Sequence, residues 1–175
     1  MRLGLIVTVG IGLISASAVR SADDKLAYPL VAGYGGVIPL PKAAEQPRKG
    51  AKVVFDVTAD ANKGLERAAR LLNLYGAAGL KADDVKVVVV LHGEATKAAL
   101  TDAAYKTRFG AEANPNLPLI RALKKAGVEV FVCGQALGYK GFKESEVAGD
   151  VPVAVAALTV VVNRQGDGYA YVPVP

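Results

Sequence analysis

Short runs of apolar, mostly β-branched residues alternate along this chain with longer stretches that have helical spacing. The runs at residues 52–57, 85–91 and 128–133 are apolar at most positions. This composition is typical of strands that are covered on both faces in a parallel sheet. Shorter apolar runs at 151–155 and 169–174 predict a fourth and a last strand, although the pattern leaves the division between strand and helix after residue 151 open.

Between these runs, apolar residues recur every three or four positions, which predicts helices. The first helix covers residues 65–75, the second covers 95–108, and the last covers 156–165. The third opens at Asn114-Pro115-Asn116, because Asn as N-cap with Pro just inside is a start signal. It ends at Lys124-Lys125, whose charges suit the negative end of the helix dipole.

Strands that alternate with helices predict an α/β domain with a parallel sheet and helices on both faces. Right-handed crossovers place the carboxyl ends of parallel strands at one edge of the sheet. Residues 56–62, 92–94 and 133–135 would then lie on the same edge. If the second and third strands are neighbours, about 4.8 Å apart, His92 and Cys133 come within reach of each other.

The first 22 residues have the layout of a secretory signal peptide. Arg2 precedes an uncharged apolar stretch over 3–14, and small residues follow at the positions required for cleavage after Ala18 or nearer Ala22. The stretch is shorter than the roughly 18 residues of a membrane-spanning helix. We therefore expect export to the periplasm and no membrane attachment after cleavage, with an uncleaved anchor as the alternative.

Residues 23–50 are predicted to form an N-terminal arm, ahead of a single domain over 51–175. The arm contains several prolines and glycines and has no sustained periodicity. It also contains more apolar residues than disordered segments usually do. We therefore expect it to lie on the domain or on a neighbouring subunit.

Charge and residue counts narrow the function classes. The net charge is +5, the basic residues are scattered, and there is one cysteine and one histidine. A nucleic-acid footprint is not evident, because neither a basic stripe nor a stacking motif is present. The single cysteine excludes an internal disulfide, and one Cys with one His does not make an ordinary zinc site. We predict no metal and no cofactor.

Cys133 is the leading candidate for chemistry. It ends an apolar strand, where the backbone leaves the sheet and ligands bind in open α/β folds. Free N–H groups after it would favour the reactive thiolate if residues 135–139 are helical. His92 could take the thiol proton or stabilise the thiolate, although the sequence shows no third group to orient it. A buried cysteine that only fills space is the alternative.

Four segments together resemble the exported branch of the DsrE/DsrF-like family, over roughly residues 52–175. They are Val-Val-Val-Val-Leu-His-Gly-Glu-Ala-Thr at 87–96, Asn-Pro-Asn-Leu-Pro-Leu-Ile at 114–120, Lys-Lys-Ala-Gly-Val-Glu-Val-Phe-Val-Cys-Gly-Gln at 124–135 and Gly-Tyr-Ala-Tyr-Val-Pro at 168–173. The resemblance implies a three-layer α/β/α fold with a five-stranded, mainly parallel sheet in which the second and third strands are adjacent. It also implies trimers or hexamers.

The better-known members of this family relay sulfane sulfur as a cysteine persulfide, in sulfur oxidation or in tRNA thiolation. By resemblance, Cys133 is the sulfur acceptor, His92 handles protons beside it, and Gly134 and Gln135 are local donors around the bound sulfur. Gly93 on the same edge is the third predicted substrate-binding residue. A sulfur donor or acceptor protein is then an expected partner. The relay members are mostly cytoplasmic, so export argues against the tRNA role.

Three functions remain open from the sequence. The first is a periplasmic sulfur carrier or sulfurtransferase-like protein that uses Cys133. The second is a non-catalytic oligomeric module that binds a small ligand at the same edge. The third is a structural oligomer in which Cys133 belongs to the core.

Overall fold

The computed structural model describes residues 25–175, so the predicted signal peptide over 1–22 lies outside the described residues. Within this part of the chain, five strands form one sheet in the order β4-β3-β2-β1-β5, and every pair is parallel. The strands are β1 (Ala51–Val57), β2 (Val85–Leu91), β3 (Glu129–Cys133), β4 (Val153–Ala154) and β5 (Ala170–Val174). The predicted five-stranded α/β fold is confirmed, and β2 and β3 are neighbours.

Helices cover both faces of the sheet. They are α1 (Ala61–Ala77), α2 (Asp102–Phe109), α3 (Leu117–Lys125), α4 (Gly134–Tyr139) and α5 (Ala157–Gly166). Successive side chains of a strand point to opposite faces, so Val57, Leu91 and Val132 join the core under α1 and α3. Val54, Val88 and Val90 lie on the other face, in a smaller cluster with residues of α5. The domain thus has three layers, α/β/α.

Helix α1 lies very close to β1 because of one glycine. The helix begins after Asp60, whose side chain accepts a hydrogen bond from Lys63 N at 3.0 Å. One turn later, a Cβ atom at Gly64 would come within 2.5 Å of the Val57 side chain. Only a residue without a side chain permits this approach of the helix to the sheet.

The predicted single helix over 95–108 is wrong. A 3-10 helix covers Gly93–Ala99, and α2 begins only at Asp102. Leu100 between them is extended and forms an isolated antiparallel bridge with Val147. Thr101 then caps α2 by accepting a hydrogen bond from Ala104 N at 3.2 Å. The alanine-rich sequence conceals this break, because a tertiary contact to a distant loop causes it.

The third helix begins at Leu117 with Asn116 as its N-cap residue, two residues beyond the predicted N-cap, Asn114. Asn114 is buried and turns inward, where its Nδ2 donates to Ala98 O at 2.9 Å and to Leu100 O at 2.7 Å. Its Nδ2 therefore satisfies the carbonyls at the end of the 3-10 helix, while its Oδ1 accepts a hydrogen bond from Asn116 N at 3.0 Å just ahead of α3.

The described part of the arm, residues 25–50, packs against α1. Asn73 of α1 is fully buried. Its Oδ1 accepts from Leu30 N and Val31 N, both at 2.9 Å, and its Nδ2 donates to Tyr34 O at 2.8 Å. One buried amide thus replaces a strand partner for this stretch of backbone.

None of the helices described over residues 25–175 has both the length and the apolar character needed to cross a membrane.

Candidate functional site

Cys133 lies where β3 ends and α4 begins. It is the N-cap residue of α4, and its Sγ accepts a hydrogen bond from Ala136 N at 3.4 Å. The residue is only 5% exposed, and it borders a cavity of about 650 Å³ at the carboxyl edge of the sheet. The thiol is therefore packed on one side and faces an open volume on the other.

His92 follows β2 directly and approaches a carboxylate of β1. The distance from His92 Nε2 to Asp56 Oδ1 is 2.7 Å. Both atoms are buried, and the ring N–H is not aligned with the oxygen well enough for a hydrogen bond. We interpret this approach as a close polar contact between the imidazole and the carboxylate, since catalytic hydrogen bonds are often poorly aligned in the free protein and tighten when a substrate is bound.

The same carboxylate has a second partner on β5. The Tyr171 hydroxyl donates to Asp56 Oδ2 at 2.8 Å. This hydrogen bond raises the pKa of Tyr171 above its ordinary value, and burial adds to the effect. Asp56 therefore lies between two side chains, one on each of its oxygens.

The sheet itself brings these groups together. Asp56 lies two residues after Val54 and so faces the α5 side, as does Tyr171, which is paired with Val54 in the register. Leu91 is paired with Val132, so the next residues, His92 and Cys133, extend from adjacent strands. Four chemically active side chains thus converge from four strands.

Gly93 fixes the turn that carries His92. It has a φ of +55°, and a Cβ atom there would lie 2.6 Å from Thr58 O. His92 N donates to Val57 O at 3.0 Å, and Ala95 N donates to Thr58 O at 3.1 Å. The end of β2 is therefore held against the end of β1, which accounts for the glycine without a role in substrate binding.

The cavity has a polar floor and a largely apolar wall. Asp56, His92 and Cys133 form the floor, and α5 supplies apolar side chains opposite them. Tyr139 of α4 and Lys140, which follows the helix, form one side, and Lys140 is paired with Glu94. Such a combination of apolar lining with a few convergent polar groups is typical of small-ligand sites.

The cavity brings together four of the five predicted site residues, namely Cys133, His92, Gly93 and Gln135. The Gln135 amide donates to Val155 O at 3.3 Å. Gly134 does not line the cavity, and a Cβ atom there would lie 2.9 Å from Ala154 O. It therefore allows α4 to start close beside β4.

Sequence reasoning missed Asp56 and Tyr171 as site residues. A usable signal existed for Asp56, which is the only charge inside the run Val-Val-Phe-Asp-Val over 53–57. An unpaired charge is costly to bury, so a carboxylate in a central strand indicates a partner nearby. Tyr171 had no such signal, because its place depends on β5 being the neighbour of β1.

Over residues 25–175, no group of three or more His, Cys, Asp and Glu side chains is arranged to hold a metal ion. In the same part of the chain, the thiol makes no hydrogen bond to the imidazole. A proton can therefore move between the thiol and the imidazole by two routes. It passes through a molecule bound in the cavity, or it passes directly after a small movement of the ring.

The fold and the site define the class of this protein. It is an all-parallel α/β domain in which a cysteine at the end of an inner strand borders a cavity at the carboxyl edge of the sheet. The chain belongs to the DsrE/DsrF-like family, whose model matches residues 52–174. Its fold is similar to that of MTH1491 from Methanobacterium thermoautotrophicum, a protein of unknown function. The TM-score is 0.55 at 22% identity, over 70% of this chain and 98% of that one. No curated protein gives a significant match.

Proposed function

We propose that this protein is a periplasmic sulfur carrier that holds sulfane sulfur as a persulfide on Cys133. The observation that carries the proposal is the position of the thiol at the floor of a cavity that also contains the Asp56–His92 pair. A thiolate is the sulfur nucleophile, and a neighbouring histidine is a suitable acceptor for the thiol proton. Family membership supports the fold on which such relays are built.

The transfer step balances without an added oxidant. The Cys133 thiolate attacks the outer sulfur of a donor persulfide, R–S–SH, and a new S–S bond forms. The S–S bond of the donor breaks, and the donor leaves as the thiolate R–S⁻ with the bonding electron pair. Transfer from Cys133 to an acceptor thiolate is the same reaction in the opposite direction. A donor or acceptor protein is part of the proposal.

The experiment is intact mass spectrometry of the mature protein before and after incubation with inorganic polysulfide. We expect mass gains in steps of about 32 Da that a reductant removes. Cys133→Ser should show none. The proposal is wrong if the wild-type protein gains no sulfur, or if Cys133→Ser gains the same amount. A thiol that reacts with an alkylating reagent only after unfolding would also contradict it.

The size of the cavity favours a second candidate, a non-catalytic module that binds a small organic ligand. About 650 Å³ lies well within the range of small-molecule pockets and greatly exceeds the space that one sulfur atom needs. Binding that Cys133→Ser retains in full would support this candidate. Binding that is lost together with sulfur loading would support the carrier.

A further inference from the structure

The most informative feature beyond the thiol is a row of three side chains that contact one another at the same edge of the sheet. Tyr171, Asp56 and His92 come from β5, β1 and the end of β2, and they are in consecutive contact at 2.8 Å and 2.7 Å. The side chains of Asp56 and His92 are 15% and 27% exposed. Groups that are so far from water interact more strongly than the same groups on a surface.

We infer that Asp56, oriented by Tyr171, is a positioning residue for His92 and that through His92 it sets the protonation of the Cys133 thiol. The inference rests on the proposed role of Cys133 as a sulfur nucleophile. It gives Asp56 and Tyr171 a role that goes beyond the proposed persulfide on Cys133 and beyond the family fold.

The geometry gives each ring nitrogen of His92 its own role. Nε2 faces Asp56 Oδ1, so Nδ1 is the nitrogen that can serve the cavity. The thiol proton moves to Nδ1 through a molecule bound in the cavity: the S–H bond breaks, an N–H bond forms, and the electron pair stays on sulfur. The imidazolium that results is paired with the Asp56 carboxylate. Cys133 is then the nucleophile, His92 the base, and Asp56 the carboxylate that orients the base.

Tyr171 keeps the carboxylate in place. Its hydrogen bond occupies Asp56 Oδ2, and the Oδ1 atom is thereby directed at His92. A carboxylate that was free to rotate about its terminal torsion would have no such preferred direction, because this torsion is broad.

Other charged groups near the cavity are few. The last residue of α4, Tyr139, and the next residue, Lys140, line the cavity, and Lys140 is paired with Glu94. From α5 and its N-cap residue, within the described residues, the cavity receives only side chains that do not titrate: Ala156, Ala157, Leu158, Val161 and Gln165. The imidazolium state therefore depends mainly on Asp56, and the Lys140–Glu94 pair adds no net charge.

The test is the pH dependence of Cys133 alkylation by iodoacetamide in the mature protein, which needs no sulfur donor. We expect Asp56→Asn to move the midpoint upward by about one pH unit, so that about tenfold less thiolate is present at a fixed pH below the midpoint. Asp83→Asn is the matched control, since it makes the same change at an exposed residue near the opposite edge of the sheet. This control should keep the wild-type midpoint.

A double variant shows whether Asp56 acts through His92. With His92→Asn already present, Asp56→Asn should cause no further shift. The inference is overturned if Asp56→Asn has the same profile as Asp83→Asn, or if it shifts the midpoint equally with and without His92. Should Asp56→Asn fail to fold, Tyr171→Phe replaces it: we expect a smaller shift in the same direction, and a wild-type midpoint would contradict the inference.

Alkylation and sulfur loading separate the two proposals. A midpoint that depends on Asp56 in a protein that gains no sulfur would reject the carrier function and leave the role of Asp56 standing. Sulfur loading with a midpoint independent of Asp56 would do the opposite.

Discussion

At the scale of single residues, the carboxylate of Asp56 governs the candidate site. It lies in a central strand whose other residues are apolar, and it has a tyrosine hydroxyl on one oxygen and an imidazole beside the other. A carboxylate is stable in such a place only when it is paired or hydrogen-bonded. The three side chains therefore stabilise one another, and a substitution of one should change the position or the protonation of the others.

The Tyr171 hydroxyl reports on this cluster. Donation to the Asp56 carboxylate raises the pKa of Tyr171, so Asp56→Asn should lower that pKa toward the ordinary value of 10.0. Because the folded pKa is the higher one, the hydroxyl stabilises the fold below pH 10.0, and this contribution is lost as the pH rises through the raised value. The measurement is ultraviolet titration of tyrosinate, with Tyr171→Phe variants to isolate its signal. Equal Tyr171 titrations with and without Asp56→Asn would contradict the contact.

At the scale of elements, the docking of the arm on α1 depends on one side chain. The buried Asn73 amide binds backbone groups of residues 30–35 on both its donor and its acceptor atoms. Those backbone groups have no strand partner to replace it. A buried polar group that loses its partner costs more than the hydrogen bond contributed.

We therefore expect Asn73→Ala to lower the free energy of unfolding by about 2–4 kcal/mol, because it leaves the N–H groups of Leu30 and Val31 unpaired. The arm should also become sensitive to proteases. Urea denaturation and limited proteolysis would measure the two effects. Asn62→Ala, at an exposed position of the same helix, is the control and should change either property little. An Asn73→Ala protein with wild-type stability would show that the arm does not depend on this amide.

At the scale of the whole molecule, large apolar side chains are exposed on α4, on α5 and just before α5, and two of them, Tyr139 and Leu158, line the cavity. Tyr139, Val155, Leu158 and Val162 are 91%, 74%, 71% and 56% exposed. Clustered large apolar side chains at a surface are typical of interaction sites. We propose that copies of the chain associate through this surface, as trimers or hexamers.

Light scattering after size-exclusion chromatography tests the association. Val162→Asp should shift the mass toward that of the monomer, since it places a charge on the apolar face of α5. Asn163→Asp, at the neighbouring exposed position of the same helix, should leave the mass unchanged. A wild-type protein that is monomeric at all concentrations would reject the proposal, and an equal response of both variants would place the interface elsewhere.

The family match and the predicted export depend on different parts of the chain. The match covers residues 52–174, and the prediction of a signal peptide depends on the sequence of residues 1–22 alone. We propose export as part of the function. Detection of the mature protein in the periplasmic fraction, with an N-terminus near residue 19 or 23, is the direct measurement.

The amino-acid sequence by itself determined the alternation of strands and helices and the position of Cys133 and His92 on one edge. Both follow from local information, because an apolar run of strand length and a helical repeat are properties of neighbouring residues, and parallel topology then aligns the strand ends. The resemblance of four short segments added the adjacency of β2 and β3.

Only the tertiary structure decided which side chains meet. Asp56 and Tyr171 are 115 residues apart in the chain and touch because β5 lies beside β1. The break at Leu100 and the inward turn of Asn114 also follow from contacts made at a distance. Local spacing carries no information on such pairings, because they depend on strand order and on how helices pack over the sheet. The thiol and the histidine could thus be found from the sequence, whereas the contacts of Asp56 with Tyr171 and His92, which are proposed to control the protonation of the thiol, could not.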